Sequence, residues 1–351
     1  MSAGTVPLPY DRAAIGAALG GDWEETLLAA HHWMTLAREL DSRMLGLQRQ
    51  GRIGFYGPAT GQEAVSVAAG LASRAEDWVV PGLREQLVAL VRGHSLTRYM
   101  HHLFANDRDP ARGRQMPCHP SAREVKYVSM SSVVGTQITH AVGLAYGLKL
   151  HKESGVALAF FGDGATSGND FHAGLNFAAV LSLPVLFCLT NNQWAISLPV
   201  ERQTHVKELA QKAAAYGIAS RRVDGTDFVA CYSSFTQGLE AIRTAPGPLL
   251  CEFTLFRMTP HSSSDDPSRY QAPSWMPQAL AHDPVLRLEE LLTRHGLLSE
   301  SAQRSMKEEA ARLVKEAIAE AEAVGPPAPD SLLTDVRASG PRPEGPGPEV
   351  P

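Results

Sequence analysis

The sequence lacks a cysteine pairing pattern, an excess of positive charge and any long apolar run. Its four cysteines, Cys118, Cys188, Cys231 and Cys251, lie far apart and form no CxxC pair. That spacing argues against a zinc knuckle and a disulfide framework, and it points to a reducing compartment. With 32 basic against 37 acidic side chains the formal charge is -5, so no basic field draws in phosphate backbones or anionic lipids, and neither nucleic acid nor membrane is expected as a partner. The apolar run 156–161 is far too short to span a bilayer. No charged-then-apolar signal pattern opens the chain, and Asp11 and Asp22 around Arg12 disfavour an Arg-rich transit peptide. A soluble, cytoplasmic protein is the expectation. No internal repeat is present.

What is there suits a large folded core. At 351 residues, 44% hydrophobic and 20% charged, the chain fits one large α/β domain or two unequal lobes. Residues 1–22 read as a flexible N-terminal segment. Residues 23–47 carry Leu, Ala, Met and Arg at helical spacing and predict an amphipathic helix, with His31 and His32 on different faces as packing or solvent residues. Thr60-Gly61-Gln62-Glu63 fits a capping box that starts a helix. Trp78-Val79-Val80 reads as a strand, and Pro81-Gly82 turns the chain toward a helix with Arg84 near its N-terminus. In the helical stretch 136–150, Gly143 and Gly147 lie four apart, a pattern that costs helix propensity unless another backbone packs closely there. Residues 285–324 predict charged helices. From 325 to 351 the prolines, Pro326 through Pro351, predict a disordered tail, so residues 23–324 form the domain.

The most informative stretch runs from the apolar segment 156–161 through Gly162-Asp163-Gly164-Ala165-Thr166-Ser167-Gly168, then a helix with Phe171, Leu175, Ala178 and Ala179 on one face, then the apolar run 184–189 and Asn191-Asn192. This is a βαβ unit. Parallel strands align their carboxyl ends, so Asp163 and Asn192 should face one crevice. A dinucleotide there is disfavoured: Asp163 inside the glycine turn would oppose the pyrophosphate, and the second strand ends in asparagines where an acidic residue would bind ribose. A magnesium ion turns the same aspartate into an asset. It takes six oxygens, of which Asp163 offers a carboxylate oxygen, Asn192 an amide oxygen and Trp194 its backbone carbonyl, the rest coming from a diphosphate and water. Gly162 and Gly164 let the backbone approach, and the following helix N-terminus favours the anion.

Gly-Asp-Gly followed by Asn-Asn resembles the thiamine-diphosphate motif. Phe171-His172-Ala173-Gly174-Leu175-Asn176-Phe177-Ala178-Ala179 and Asn191-Asn192-Gln193-Trp194-Ala195-Ile196-Ser197 resemble, more specifically, the alpha subunits of 2-oxo acid dehydrogenase complexes. Gly61-Gln62-Glu63-Ala64, Leu83-Arg84-Glu85, Gly113-Arg114-Gln115-Met116-Pro117 and Ser131-Ser132-Val133-Val134-Gly135-Thr136-Gln137 extend the resemblance over residues 25–336. It implies a thiamine-diphosphate-binding α/β fold, with a mostly parallel central sheet, helices on both faces and additional N- and C-terminal helices. It also implies thiamine diphosphate and Mg²⁺ as cofactors, held by Arg84, by Ser132 and Val134 through main chain, and by Gly162, Asp163, Gly164, Ala165, Asn192 and His261, with Asp163, Asn192 and Trp194 on the metal. Ser131, Val133, Thr136 and Gln137 are candidates for a monovalent cation such as K⁺; a plain strand-to-helix turn is the alternative. Arg257-Met258-Thr259-Pro260-His261-Ser262-Ser263-Ser264-Asp265-Asp266 resembles the mobile loop over the cofactor, with His261 and Arg257 as active-site residues, and is nearer to branched-chain enzymes.

The implied activity is decarboxylation of a 2-oxo acid with transfer of the acyl group to a lipoyl arm, the cofactor supplying the electron sink. The implied partners are a beta subunit, in an α₂β₂ assembly, and a lipoyl acyltransferase core; the substrate tilts toward 2-oxoisovalerate, with pyruvate and acetoin as alternatives. The sequence departs from the pattern at Leu83, where many relatives have tyrosine, at Thr190, where arginine is frequent, and at Gly168-Asn169, where Glu-Gly is usual. These departures motivate the competing reading of a degenerate, non-catalytic assembly subunit. Ser262, Ser263 and Ser264 beside His261 raise a phosphorylation switch, against the simpler reading of a polar loop. Phe55 and Tyr56 are candidates for the substrate pocket or the core.

Overall fold

A computed structural model describes residues 5–334. Helices α1 (Arg12–Leu19), α2 (Trp23–Arg49) and α3 (Glu63–Ala72) precede strand β1 (Trp78–Val80); α4 (Gln86–Val91), α5 (Leu96–Leu103) and α6 (Thr136–His151) follow it. Then come β2 (Ala157–Gly162), α7 (Asn169–Val180) and β3 (Val185–Asn191), the expected βαβ unit. A short hairpin, β4 (Trp194–Ala195) with β5 (Leu198–Pro199), leads to β6 (Ala219–Asp224), α8 (Phe228–Thr244) and β7 (Leu249–Thr254). Helices α9 (Trp275–Ala281), α10 (Pro284–Arg294) and α11 (Glu300–Glu322) close the described chain.

Five strands form one parallel sheet in the order β1-β2-β3-β7-β6. Both faces are covered, which is why β2 and β3 are continuously apolar where a half-exposed strand would alternate. Along β2, Leu158 and Phe160 point into one core with Leu186, Cys188, Phe235 and Phe253. Ala157, Ala159 and Phe161 point into the other, with Phe171, Phe187 and Leu189. Helices α6 and α7 lie on the second face, while α8 packs on α3 over the first. The edge strand β6 carries Arg221 and Arg222 and is largely exposed, a charged edge that discourages further strand addition.

Several local expectations change. Residues 5–22 are packed: Leu8 and Ile15 are fully buried, α1 is capped by Asp11, and the Tyr10 hydroxyl donates to Asp227 at 2.7 Å. Residues 325–334 contain a 3-10 turn, Pro329–Leu333, and Arg114 donates to the Thr334 carbonyl at 2.8 Å; residues 335–351 of the expected tail lie outside the described chain. Thr60 does not cap α3. Its hydroxyl donates to buried Asp41 at 2.6 Å, a stronger acceptor than any neutral group nearby, and Glu63 reaches back to the Gly61 N–H at 2.8 Å. The tight helix contact is made by Gly174 of α7, where an added Cβ would come within 2.5 Å of Ile138, whereas Gly143 and Gly147 face open space. His31 is fully buried beside Glu289 at 3.2 Å.

Asp77 fastens β1 to its neighbours. Its carboxylate accepts from the N–H groups of Val156 (2.9 Å) and Arg74 (2.7 Å) and from the Arg243 guanidinium (2.5 Å), all at a buried position. Breaking a buried pair strands the remaining charge, at a cost of about 3–5 kcal/mol. Asp77→Ala should lose that much in urea unfolding. A loss under about 1 kcal/mol would mean that the pair contributes no more than a surface bridge.

Candidate active site

A cavity of about 440 Å³ opens at the carboxyl edge of the sheet, where loops after parallel strands converge. The register pairs Gly162 of β2 with Thr190 of β3, so the residues just beyond, Asp163 and Asn192, enter the same cavity. Arg84, Ser131, Ser132, Val134, Gln137, Gly162, Gly164, Ala165, Trp194 and His261 also line it. Of the residues singled out from sequence, Val133, Thr136 and Arg257 do not. Phe55 lines the cavity, while Tyr56 is core, its hydroxyl donating to Asp41 at 2.8 Å.

The two asparagines do separate work. Asn191 donates to buried Glu252 at 2.7 Å and accepts from the Gln193 N–H at 3.1 Å, while Asn192 accepts from the Trp194 N–H at 3.2 Å. Their side chains hold a turn in which Gln193 (φ +71°) and Ile196 (φ +56°) sit in the left-handed region. Such strain is of order 1–3 kcal/mol per residue and persists only where surroundings impose it. The turn brings Ala195 against Gly164, where any Cβ would lie 2.8 Å from the alanine methyl; only glycine fits. Asp163 is almost fully buried and accepts from Gln203 at 2.6 Å; burial pushes its carboxyl up from the usual range.

The same cavity region holds two guanidiniums, Arg84 in its lining and Arg257 behind it. The Arg84 guanidinium, buried, donates to the carbonyls of Pro58 and His261 (2.7 Å for the latter) and lies 3.3 Å from His261 Nδ1. Burial, and then the neighbouring Arg257, bring Arg84 down to about 10. Burial, then Arg84 and Arg257, bring His261 down to about 4, so the imidazole is neutral at pH 7. Arg257 stands behind the wall, donating to the Ile196 carbonyl at 2.8 Å and the Tyr270 hydroxyl at 2.6 Å. Its Nε and Nη1 are buried and have no partner among the described residues. A guanidinium brought down by burial and by a second guanidinium, beside a histidine kept neutral, describes a cradle for an anion.

The loop bearing His261 is fastened. Tyr56 and Ser263 exchange two bonds, Ser263 N–H to the Tyr56 carbonyl at 2.9 Å and Tyr56 N–H to Ser263 Oγ at 3.1 Å. Asp265 accepts from the His261 N–H at 2.7 Å and from the Tyr270 hydroxyl at 2.5 Å. Gly61, at φ +97°, admits the Phe256 carbonyl to within 2.2 Å of where a Cβ would be. Ser131 through Gln137 form one turn: the Thr136 hydroxyl donates to the Val133 carbonyl at 2.9 Å and Gln137 to the Ser131 carbonyl at 2.7 Å. Sequence reasoning missed Gln203, which no motif marks, and Gln62, a member of a quoted motif not read as a site. Gln62 lines the cavity, buried, with both carboxamide atoms unpartnered among the described residues.

Comparison with known proteins gives a consistent result. Residues 31–330 match the model of the family described as Dehydrogenase E1 component. The chain is 39% identical over 307 residues to the 2-oxoisovalerate dehydrogenase subunit alpha of Bacillus subtilis, covering 87% of this chain and 93% of that protein. It is 36% identical over 316 residues to the mitochondrial 2-oxoisovalerate dehydrogenase subunit alpha 2 of Arabidopsis thaliana (89% of this chain), but spans only 66% of that relative's length. Against the pyruvate dehydrogenase E1 component subunit alpha of Bacillus cereus identity is 38% over 304 residues, 86% of this chain and 78% of that protein.

His261 offers a direct check on the cradle. Its folded value lies below 6.5, so the neutral form is favoured and stability is lost as pH falls from about 6.5 through about 4. A bound anion reverses the preference. In NMR titration, identified by comparison with His261→Ala, the ring should titrate near 4 in the free chain and markedly higher with inorganic diphosphate. An unmoved value would mean that the anion does not sit there.

Proposed function

Because the chain belongs to the dehydrogenase E1 component family, we propose that it is the alpha subunit of a thiamine-diphosphate-dependent 2-oxo acid dehydrogenase, acting on 2-oxoisovalerate. The observation that carries this is that Asp163, Asn192, Arg84 and His261 line one cavity. The unpartnered carboxamide of Gln62, buried in the cavity wall, agrees with a polar occupant.

Among the described residues no three His, Cys, Asp or Glu side chains are arranged for a metal. A magnesium ion here would instead take one carboxylate oxygen from Asp163, the Asn192 carboxamide and the Trp194 carbonyl, as a mixed-oxygen site for a hard cation does. Arg84 and a protonated His261 would hold the diphosphate. Bound thiamine diphosphate supplies the nucleophilic carbon and the electron sink for decarboxylation. This chain's residues bind and orient it and exclude water: the fastened 256–265 segment closes one side, and Phe55, Leu83 and Val134 make an apolar wall suited to a branched acyl chain. A substrate as small as pyruvate is the second reading, because identity to the Bacillus cereus relative, 38%, is within one percentage point of the 39% to the Bacillus subtilis one.

The lipoyl acyltransferase core and a beta subunit are the proposed partners. Supporting a second chain, α6 and α7 present Tyr146, Leu150, Phe177 and Val180 to solvent, alongside Gly143 and Gly147 with nothing near them. Among the described residues no helix is long and apolar enough to cross a membrane. All four cysteines are free and buried, which suits a reducing cytoplasm. A non-catalytic assembly role would leave no reason to bury Asp163 at the cavity wall within reach of the Arg257 charge.

The purified chain should be inactive alone and, with its beta partner, Mg²⁺ and thiamine diphosphate, release CO₂ from 3-methyl-2-oxobutanoate. Asp163→Ala should abolish magnesium-dependent cofactor binding in calorimetry of the complex. An unmodified complex that binds no cofactor, or that turns over no 2-oxo acid, refutes the assignment. Gly147→Leu should weaken assembly with the beta chain at least tenfold, about 1.4 kcal/mol, without lowering the thermal midpoint of the isolated chain, since leucine favours the helix over glycine; unaltered assembly would place the partner elsewhere.

A further inference from the structure

Behind the cavity wall runs a chain of buried polar groups that the proposed reaction has not used. His119, His102 and Asp109 are each more than nine-tenths buried. His119 Nδ1 lies 2.9 Å from the Pro117 carbonyl, which can only accept, so Nδ1 carries the proton. In the neutral ring Nε2 then has only its lone pair, and its contact with Ser132 Oγ requires the serine hydroxyl to donate. The next link is equally determined. The His119 backbone N–H donates to His102 Nε2 at 3.0 Å, leaving the His102 proton on Nδ1, where Asp109 accepts it at 3.1 Å. Asp109 is itself held by the N–H groups of Ala111 (3.0 Å) and Gly113 (2.8 Å). The His119 ring also lies 6.5 Å from that of Phe55, which lines the cavity.

The consequence appears at Ser132, which lines the cavity. Its proton is committed to His119, so toward the cavity it offers lone pairs only. A 2-oxo acid anion presents carboxylate and ketone oxygens, which are acceptors, and gains nothing from such a group. Thiamine diphosphate carries a donor in the amino group of its pyrimidine ring. We propose that His119 is a positioning residue that, with its tautomer fixed by the Pro117 carbonyl and its backbone anchored through His102 and Asp109, turns the Ser132 hydroxyl into an obligatory acceptor for that amino group. This rests on the cofactor reading above.

The test uses the assembled complex with its beta chains at saturating Mg²⁺, and titrates thiamine diphosphate calorimetrically into the unmodified protein, Ser132→Ala, His119→Leu and the double variant. Each single substitution should weaken cofactor binding about five- to tenfold, the worth of one hydrogen bond. The double variant should be no weaker than either, because the two residues act as one unit. The KM for 3-methyl-2-oxobutanoate at saturating cofactor, and the thermal midpoint of cofactor-free Ser132→Ala, should not move. Unchanged affinity in Ser132→Ala, effects that multiply in the double variant, or a raised KM in place of weaker cofactor binding would each overturn the proposal. His119→Asn, polar but too short to reach Ser132, replaces the leucine variant if that does not assemble. Absence of cofactor binding in the unmodified complex refutes the cofactor reading and this inference together, whereas binding that the variants leave untouched refutes this inference alone.

Discussion

The parallel pairing of β2 with β3 is the constraint on which the rest of the molecule depends. Six paired positions, from Ala157 with Val185 to Gly162 with Thr190, fix where each strand ends. Those ends decide that one carboxylate and one carboxamide enter the same cavity. A slip of one residue would turn every side chain of β3 to the opposite face. Leu186 and Cys188 would then meet the core now filled by Phe171 and Leu175, and burial on both sides makes that costly.

Around this frame the charges are arranged in opposition. Arg84 is tied to the 56–60 segment through the Pro58 carbonyl, and that segment is held in turn by Asp41, which accepts from Tyr56, Ala59 and Thr60. Burial pushes the Asp41 carboxyl up, and three donors pull it back. A buried carboxylate thus positions a backbone carbonyl, which positions a guanidinium. Its function is geometric, and it lies a full step behind the cavity.

Much of this was legible in the sequence, for reasons that can be named. The βαβ unit could be read because strands buried on both faces are continuous apolar runs, and β1 could be read from Trp78-Val79-Val80 between turn signals. Asp163, Asn192, Arg84 and His261 carried their motifs with them, and all four line the cavity. Gln203 could not be read, because a single hydrogen bond to Asp163 from forty positions away leaves no local trace. The same holds for the His102 and His119 pair. Helix α1 was hidden by its brevity and by Gly16, Gly20 and Gly21, so its packing is decided by tertiary burial of Ile15. At Thr60 the local pattern was right for a cap but lost to a distant carboxylate.

The exposed side of α6 and α7 bears on how such a chain is made. Four large apolar side chains and two bare glycines stand in water there, and a modest net charge of -5 does little to keep two copies apart. Under the proposed assembly, synthesis in excess of the beta chain would leave an adhesive chain prone to self-association, and matched dosage of the two would become a requirement of colloid chemistry as much as of stoichiometry.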